Sequence, residues 1–88
     1  TLHTHHVWIG KTDARKVLLL ISGTHGVEGL AGSAIQQDLL AQTRVTNWQP
    51  TADTALLLIH LLNPYGCAWV RRCDQDGIDL NRNFVDFN

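Results

Sequence analysis

The sequence predicts an α/β fold in which helices flank a mostly parallel sheet. Two apolar runs, "KVLLLIS" at 16–22 and "ALLLIHLL" at 55–62, are the strongest strand candidates. Continuous apolar runs of this length are typical of strands that are covered on both faces. Between them, apolar residues recur about every 3.6 positions, which indicates a helix; they are Leu30, Ala34, Ile35 and Leu39. The order strand, helix, strand favours a right-handed βαβ unit.

The first half of the chain divides into four elements. A short strand is predicted at Val7 to Gly10, and the polar turn "KTDAR" separates it from the strand at 16–22. The glycine-spaced segment from Gly23 to Gly29 is predicted to be a loop. The helix is expected from about Glu28 to Ala41, where the apolar spacing is helical.

The second half begins with a connecting segment, "TRVTNWQPTADT" at 43–54, in which Pro50 disfavours a continuous helix. After the strand at 55–62, "NPYG" predicts a turn, because Pro64 presets φ and Gly66 relieves strain. The remaining residues are polar and are predicted to be irregular. In open α/β sheets ligands bind outside the carboxyl ends of the strands, so both post-strand segments are expected at one site.

Composition excludes several classes of function. With 44% hydrophobic and 17% charged residues and a net charge of −1, the 88 residues carry no basic field for nucleic acid or an anionic membrane. No apolar run reaches the roughly 18 residues of a spanning helix.

Two cysteines make no disulfide framework and the sequence shows no secretory leader, so a cytoplasmic location is expected. The missing initiator methionine and the abrupt end suggest that residues 1–88 are the N-terminal part of one larger domain.

The segment "SGTHGVEG" carries the first candidate site, formed by His25 and Glu28. Glu28 is the only glutamate in the chain. Residues three apart at a helix start share a face, and an imidazole with a carboxylate suits a zinc ion. A helix N-terminus also favours a carboxylate without any metal, so the pattern alone leaves both interpretations open.

Other ligands fit the sequence less well. The glycines at 23, 26 and 29 have the spacing G-x-x-G-x-x-G, which differs from the dinucleotide motif, and no Lys-Ser/Thr pair follows them. "DQDGID" at 74–79 lacks the glycine position and the glutamate of a calcium loop. Cys67, Cys73 and His60 match no zinc-ligand spacing, and the cysteines are expected to act as small hydrophobic residues.

The second post-strand segment is rich in groups that bind anions. Arg71, Arg72 and Arg82 offer planar forks suited to carboxylates, and Asn81 adds an amide donor. An arginine near a reacting carbonyl can also stabilise the oxyanion that forms. Alternatively, these arginines pair with neighbouring aspartates on the surface, where ion pairs contribute little.

Taken together, "SGTHGVEG", "GSAIQ", "NPYG", "RR" and "DLNRNF" occur in this order between Val17 and Phe87. This ordered set resembles the zinc carboxypeptidase superfamily of the carboxypeptidase A kind, and in particular a bacterial branch known mainly as an uncharacterised domain. The resemblance implies a partial carboxypeptidase-like fold that is incomplete in these residues. It also implies that His25 and Glu28 are zinc ligands, and that Arg71 or Arg72 polarises the scissile carbonyl. Arg71 is the first choice, although the spacing does not decide between them.

The resemblance further implies that Asn81 and Arg82 bind the terminal carboxylate of a small peptide or an N-acyl amino acid. The implied reaction is zinc-dependent hydrolysis of the amide next to that carboxylate, and similarity to aspartoacylases keeps amidohydrolase activity open. The third zinc ligand and the general base are expected beyond Asn88. A non-catalytic, carboxylate-binding remnant is therefore the alternative from another class.

Overall fold

The computed structural model describes residues 1–51 and 53–84, which form a three-stranded mixed sheet with two helices. The strands are β1 (His5–Ile9), β2 (Lys16–Ile21) and β3 (Thr54–His60), in the spatial order β1-β3-β2. β2 pairs with β3 in parallel, and β1 pairs with β3 antiparallel. The α/β class and the parallel pair are confirmed. The expectation of a mostly parallel sheet is not supported, since one of the two pairings is antiparallel.

The direction of β1 follows from the length of its connection to β2. Residues 10–15 are too few for a crossover, which takes about a dozen residues or more, so the chain simply reverses. β3 then lies between the two strands instead of outside them. In the antiparallel pair His5 of β1 lies opposite His60 of β3, and in the parallel pair Ile21 of β2 lies opposite Ile59 of β3.

β3 is the centre of the core. Its residues Ala55, Leu56 and Leu58 are buried, whereas Leu18 of β2 remains 52% exposed. The apolar run at 16–22 was expected to be covered on both faces, but among the described residues β2 forms one edge of the sheet. A central strand has a neighbouring strand on each side, whereas an edge strand has one neighbour and keeps more of its surface exposed.

Helix α1 (Gly29–Thr46) is longer than its apolar spacing predicts. It ends at Asn47, which takes the left-handed conformation (φ 54°) and donates its N–H to the carbonyl of Thr43. Asparagine tolerates this conformation and often ends helices in this way. The first four residues of the segment predicted to be a connection, 43–46, are therefore helical.

A buried glutamine joins α1 to the sheet. The amide Nε2 of Gln36 donates to the carbonyls of Leu20 at 3.1 Å and Ile59 at 3.0 Å, near the ends of β2 and β3. The hydroxyl of Ser22 donates to Gln36 Oε1 at 2.8 Å. Because buried polar groups are costly when unpaired, these bonds fix α1 beside the carboxyl ends of the two parallel strands.

Three short elements follow the parallel strands. A 3-10 turn, Gly26–Glu28, precedes α1, and a second one spans Leu80–Arg82. The "NPYG" segment forms more than a turn, because it opens a one-turn helix, α2 (Pro64–Ala68). Neither helix of the described residues has the length and apolar composition that crossing a bilayer requires. The end of the stretch matched by resemblance, 85–87, lies outside the described residues.

Candidate functional site

His25 and Glu28 lie side by side after β2, as their spacing predicts. His25 precedes the 3-10 turn Gly26–Glu28, in which residues three apart come nearly into line. The Nδ1 atom of His25 is 3.5 Å from Glu28 Oε2. The imidazole is largely shielded, with a side chain 15% exposed, whereas Glu28 is 59% exposed. The loop therefore presents one nitrogen and one carboxylate oxygen to the same point at the surface.

A third residue, Asp79, holds the imidazole from the other side. Its Oδ1 accepts a hydrogen bond from His25 Nε2 at 2.9 Å, across 54 positions of sequence. Asp79 also caps the 3-10 turn Leu80–Arg82, accepting from the N–H of Asn81 at 3.0 Å. With Nε2–H donating to Asp79, the neutral imidazole has its lone pair on Nδ1, the atom next to Glu28.

Arg72 bridges the two carboxylates. Its Nη1 donates to Glu28 Oε1 at 3.0 Å, and its Nε donates to Asp79 Oδ2 at 3.1 Å. Together with His25 these residues form a connected group of four side chains, here called the His25 cluster. The Arg72–Glu28 pair is about half exposed, so it adds little to folding stability. The Arg72–Glu28 pair therefore matters for the arrangement of the site, not for the stability of the fold.

The environment of Asp79 keeps its carboxyl group ionised. Burial alone raises the pKa of Asp79, but this effect is outweighed by the hydrogen bonds from Arg72, from the backbone N–H of Asn81 and from His25. The pKa of Asp79 therefore lies below its ordinary value. Hydrogen bonds to the charged form of a carboxylate have this effect. An ionised Asp79 can accept from His25 and Arg72 at once.

The loop of His25 rests directly on the backbone of α2. The N–H of Val27 donates to the carbonyl of Arg71 at 3.1 Å. Gly26 is buried against Gly66 and Cys67, and a Cβ at position 26 would overlap their backbone atoms. Glycine is therefore required at position 26 for close approach of two backbones. The two post-strand segments are joined by main-chain contact as well as by side chains.

The donor atoms of the His25 cluster fit part of a zinc site. Zinc binds imidazole nitrogen and carboxylate oxygen at about 2.0–2.2 Å, and tetrahedral geometry then separates two ligand atoms by roughly 3.4 Å. The 3.5 Å between His25 Nδ1 and Glu28 Oε2 agrees with that separation. A carboxylate on the other ring nitrogen, as Asp79 provides, is the usual partner of a zinc-binding histidine. Within residues 1–51 and 53–84 no group of three or more histidine, cysteine, aspartate or glutamate residues could hold a metal ion.

The remaining predicted residues lie near the cluster without joining it. Of the two adjacent arginines, Arg72 contacts Glu28 and Asp79, whereas Arg71 contributes its carbonyl to Val27. Asn81 and Arg82 are exposed on the 3-10 turn that follows Asp79. Arg82 donates to the carbonyl of Asn81 at 3.3 Å. The side chains of Asn81 and Arg82 are thus accessible beside the cluster.

His60, at the end of β3, contacts α1. Its Nε2 is 2.7 Å from the hydroxyl of Ser33 on α1. Ser33 also accepts from the amide of Gln37 at 3.1 Å. His60 is therefore part of the contact between helix and sheet.

A protein family matches the whole of the chain. The family described as "Protein of unknown function (DUF2817)" matches residues 1–88. The chain belongs to the DUF2817 family. No curated protein and no solved structure matches it. Membership of DUF2817 assigns no reaction to the chain.

Sequence reasoning did not assign a site role to two residues of this DUF2817 chain. Asp79 was considered only as a surface partner of the arginines, although it stands two positions before Asn81 in "DLNRNF". Asn63 was considered only as part of a turn, although an asparagine before proline is a strong helix-cap signal. Asp79 contacts His25 of the other post-strand segment, and Asn63 contacts the backbone of Arg72; spacing alone reveals neither contact.

Proposed function

We propose that this protein is a zinc-dependent hydrolase that cleaves an amide or peptide bond next to a free carboxylate. The observation that carries the proposal is the placement of His25 Nδ1 and Glu28 Oε2 at 3.5 Å, with His25 Nε2 bonded to Asp79. Two ligand atoms at zinc-like separation, with the histidine oriented by a carboxylate, form the first half of a metal site. The ordered motifs, which resemble those of zinc carboxypeptidases, support the same conclusion.

In this proposal His25 and Glu28 hold the zinc ion, and Asp79 keeps the imidazole in the tautomer that exposes the Nδ1 lone pair. Zinc, when bound, lowers the pKa of a water molecule and polarises a carbonyl. Asp79 acts through His25, because hydrogen bonding fixes the ring and raises its basicity as a ligand. An acid form of Asp79 would lose this effect, and its lowered pKa disfavours that form.

Arg72 is the residue proposed to stabilise negative charge on the reacting carbonyl oxygen. Its guanidinium donates a hydrogen bond to Glu28, which is proposed to bind the zinc ion. Arg72 is therefore within reach of a substrate whose carbonyl approaches that ion. Fixed donors near a developing oxyanion contribute strongly to catalysis. The geometry favours Arg72 over Arg71 for this role, since Arg71 contacts the metal loop through its backbone.

Asn81 and Arg82 are proposed to bind the substrate's free carboxylate. Arginine suits this task because its planar fork binds a carboxylate with two hydrogen bonds. Both residues are exposed beside Asp79, so they can reach a ligand at the cluster. A small peptide or an N-acyl amino acid is the substrate class that this arrangement fits.

The proposal requires a third zinc ligand and a general base from later residues of the polypeptide. Glu28 is the only glutamate among the 88 residues, and it is already assigned to the metal. An aspartoacylase-like amidohydrolase is the nearest alternative reaction. A binding module that retains the arginines without catalysis is the alternative from another class. A cytoplasmic location stays a prediction.

The test uses the longest natural polypeptide that contains these residues, purified with zinc. Hydrolysis of short peptides and of N-acyl amino acids is measured before and after removal of the metal with a chelator. Glu28→Gln is compared with Asp38→Asn, a matched removal of one carboxylate from the exposed surface of α1. We expect Glu28→Gln to lose zinc and hydrolysis, and Asp38→Asn to keep both.

Each result leads to a different conclusion. Hydrolysis that survives chelation or Glu28→Gln would refute the zinc mechanism. Absence of hydrolysis with retained carboxylate binding would favour the binding module. A preference for N-acyl amino acids over peptides would identify the amidohydrolase.

A further inference from the structure

Asn63 is a buried residue that contacts both ends of the segment carrying Arg72. It lies between β3 and α2 with 2% of its surface exposed. Its Oδ1 accepts the N–H of Gly66 at 2.9 Å, which caps α2. Its Nδ2 donates to the carbonyl of Arg72 at 3.5 Å, a long hydrogen bond. One side chain therefore connects the start of α2 to the backbone of the arginine at the cluster.

The backbone between these two contacts turns tightly. The N–H of Arg71 returns to the carbonyl of Gly66 at 2.7 Å. A Cβ at Gly66 would lie 2.6 Å from the carbonyl oxygen of Arg71 and from Nδ2 of Asn63. Gly66 is therefore packed closely against both Asn63 and Arg71.

The same turn holds a residue in an unfavourable conformation. Val70 has φ 56°, in the left-handed region that β-branched residues rarely occupy. Conformations of this kind persist only where surrounding contacts enforce them. Here the left-handed residue comes two positions before Arg72, whose guanidinium donates to Glu28 and Asp79.

We propose that Asn63 is a positioning residue, which holds the backbone of Arg72 so that its guanidinium faces the His25 cluster. This inference rests on the hydrolase function proposed above. Among the described residues, the side chain of Asn63 is hydrogen-bonded to the cluster only at the carbonyl of Arg72. Its effect on the reaction therefore passes through Arg72.

Two substitutions separate the contacts of Asn63. In Asn63→Asp one oxygen still accepts the N–H of Gly66, but the donor to the Arg72 carbonyl is lost. In Asn63→Ala both contacts are lost. Asn47→Ala is a matched control, because Asn47 ends α1 in the left-handed region and its loss destabilises the fold at the opposite end of the helix from the site.

The kinetic test is a double-mutant cycle on the full polypeptide containing these residues. We expect Asn63→Asp to lower kcat about 10-fold or more with little change in KM, because small misplacements of catalytic groups are costly. In the Arg72→Ala background the same substitution should have almost no further effect on kcat. Asn47→Ala should lower the denaturation midpoint and leave kcat unchanged.

A second readout does not depend on activity. The Nε–H of Arg72, which donates to Asp79, is followed by ¹⁵N NMR in the parent and in Asn63→Asp. Loss of its hydrogen-bonded resonance supports the positioning role, even if the parent protein proves to hydrolyse nothing. An unchanged resonance would overturn it. Equal losses of kcat in the parent and Arg72→Ala backgrounds would overturn it as well.

Discussion

Gly26 offers the sharpest test of how the two halves of the site are joined. A methyl group at position 26 would overlap the carbonyl carbon of Gly66 and the amide nitrogen of Cys67. Both are main-chain atoms, so no side chain can rotate to relieve the contact. In Gly26→Ala the loop carrying His25 and Glu28 has to move away from α2.

The expected cost follows from the contacts involved. Overpacking of this kind costs about 1–3 kcal/mol. The hydrogen bond from Val27 to the Arg71 carbonyl, 3.1 Å long, would lengthen or break, at about 0.5–1.5 kcal/mol. Alanine also restricts the unfolded chain, which offsets about 0.4–1 kcal/mol. We therefore expect Gly26→Ala to lower the free energy of unfolding by about 2 kcal/mol.

The assay combines denaturation by urea, zinc titration and amide hydrogen exchange at Val27. Gly77→Ala is the control, because Gly77 has φ 75° and open space around its Cβ position, so only local backbone strain is introduced. We expect Gly26→Ala to lose exchange protection at Val27 and to bind zinc more weakly than the control. Equal stability and zinc affinity in both variants would refute the requirement for close backbone approach.

Two further substitutions test individual members of the site. Asp79→Asn should weaken zinc binding about 10- to 100-fold, since removing the partner of a metal-binding histidine has this effect. The zinc affinity is measured by competition with a chromogenic chelator. As a control, Asp76→Asn, at an exposed neighbouring position, should leave the zinc affinity unchanged. Arg82→Ala should raise KM about 10- to 100-fold for substrates with a free carboxylate but not for their amides, because a charge-assisted hydrogen bond is lost. Arg44→Ala on α1 is the control. An equal rise in KM for both kinds of substrate would argue against carboxylate binding.

Local spacing predicted the parts of the structure that depend on neighbouring residues. The proximity of His25 to Glu28 follows from their i,i+3 spacing. The parallel pair of β2 and β3 follows from the order strand, helix, strand. The expectation of a mostly parallel sheet is not supported, because the short connection from β1 to β2 reverses the chain and β1 therefore lies antiparallel to β3. The continuation of α1 to Thr46 was missed because its last turn is polar and ends on an asparagine cap.

The candidate site shows the same division. Asp79 meets His25 across 54 positions, a contact that no periodicity encodes. The choice between Arg71 and Arg72 was open because adjacent residues differ only in the direction of their side chains. In the positioning role proposed for Asn63, that direction depends on its hydrogen bond to the Arg72 carbonyl, a contact that spacing does not reveal.

The sheet itself determines where the two site segments separate. The two segments that follow β2 and β3 stay hydrogen-bonded to each other for a short distance. The N–H of Leu62 donates to the Ser22 carbonyl at 2.8 Å, and the N–H of Asn63 donates to the Gly23 carbonyl at 3.0 Å. His25 therefore begins only two residues beyond the last bonded pair, and Asn63 is itself a member of that pair. Since strands are more rigid than loops, positions so close to a bonded pair are held accurately. A site placed on these segments takes its geometry from the parallel pair, and the polar contacts of Arg72 and Asp79 then complete it.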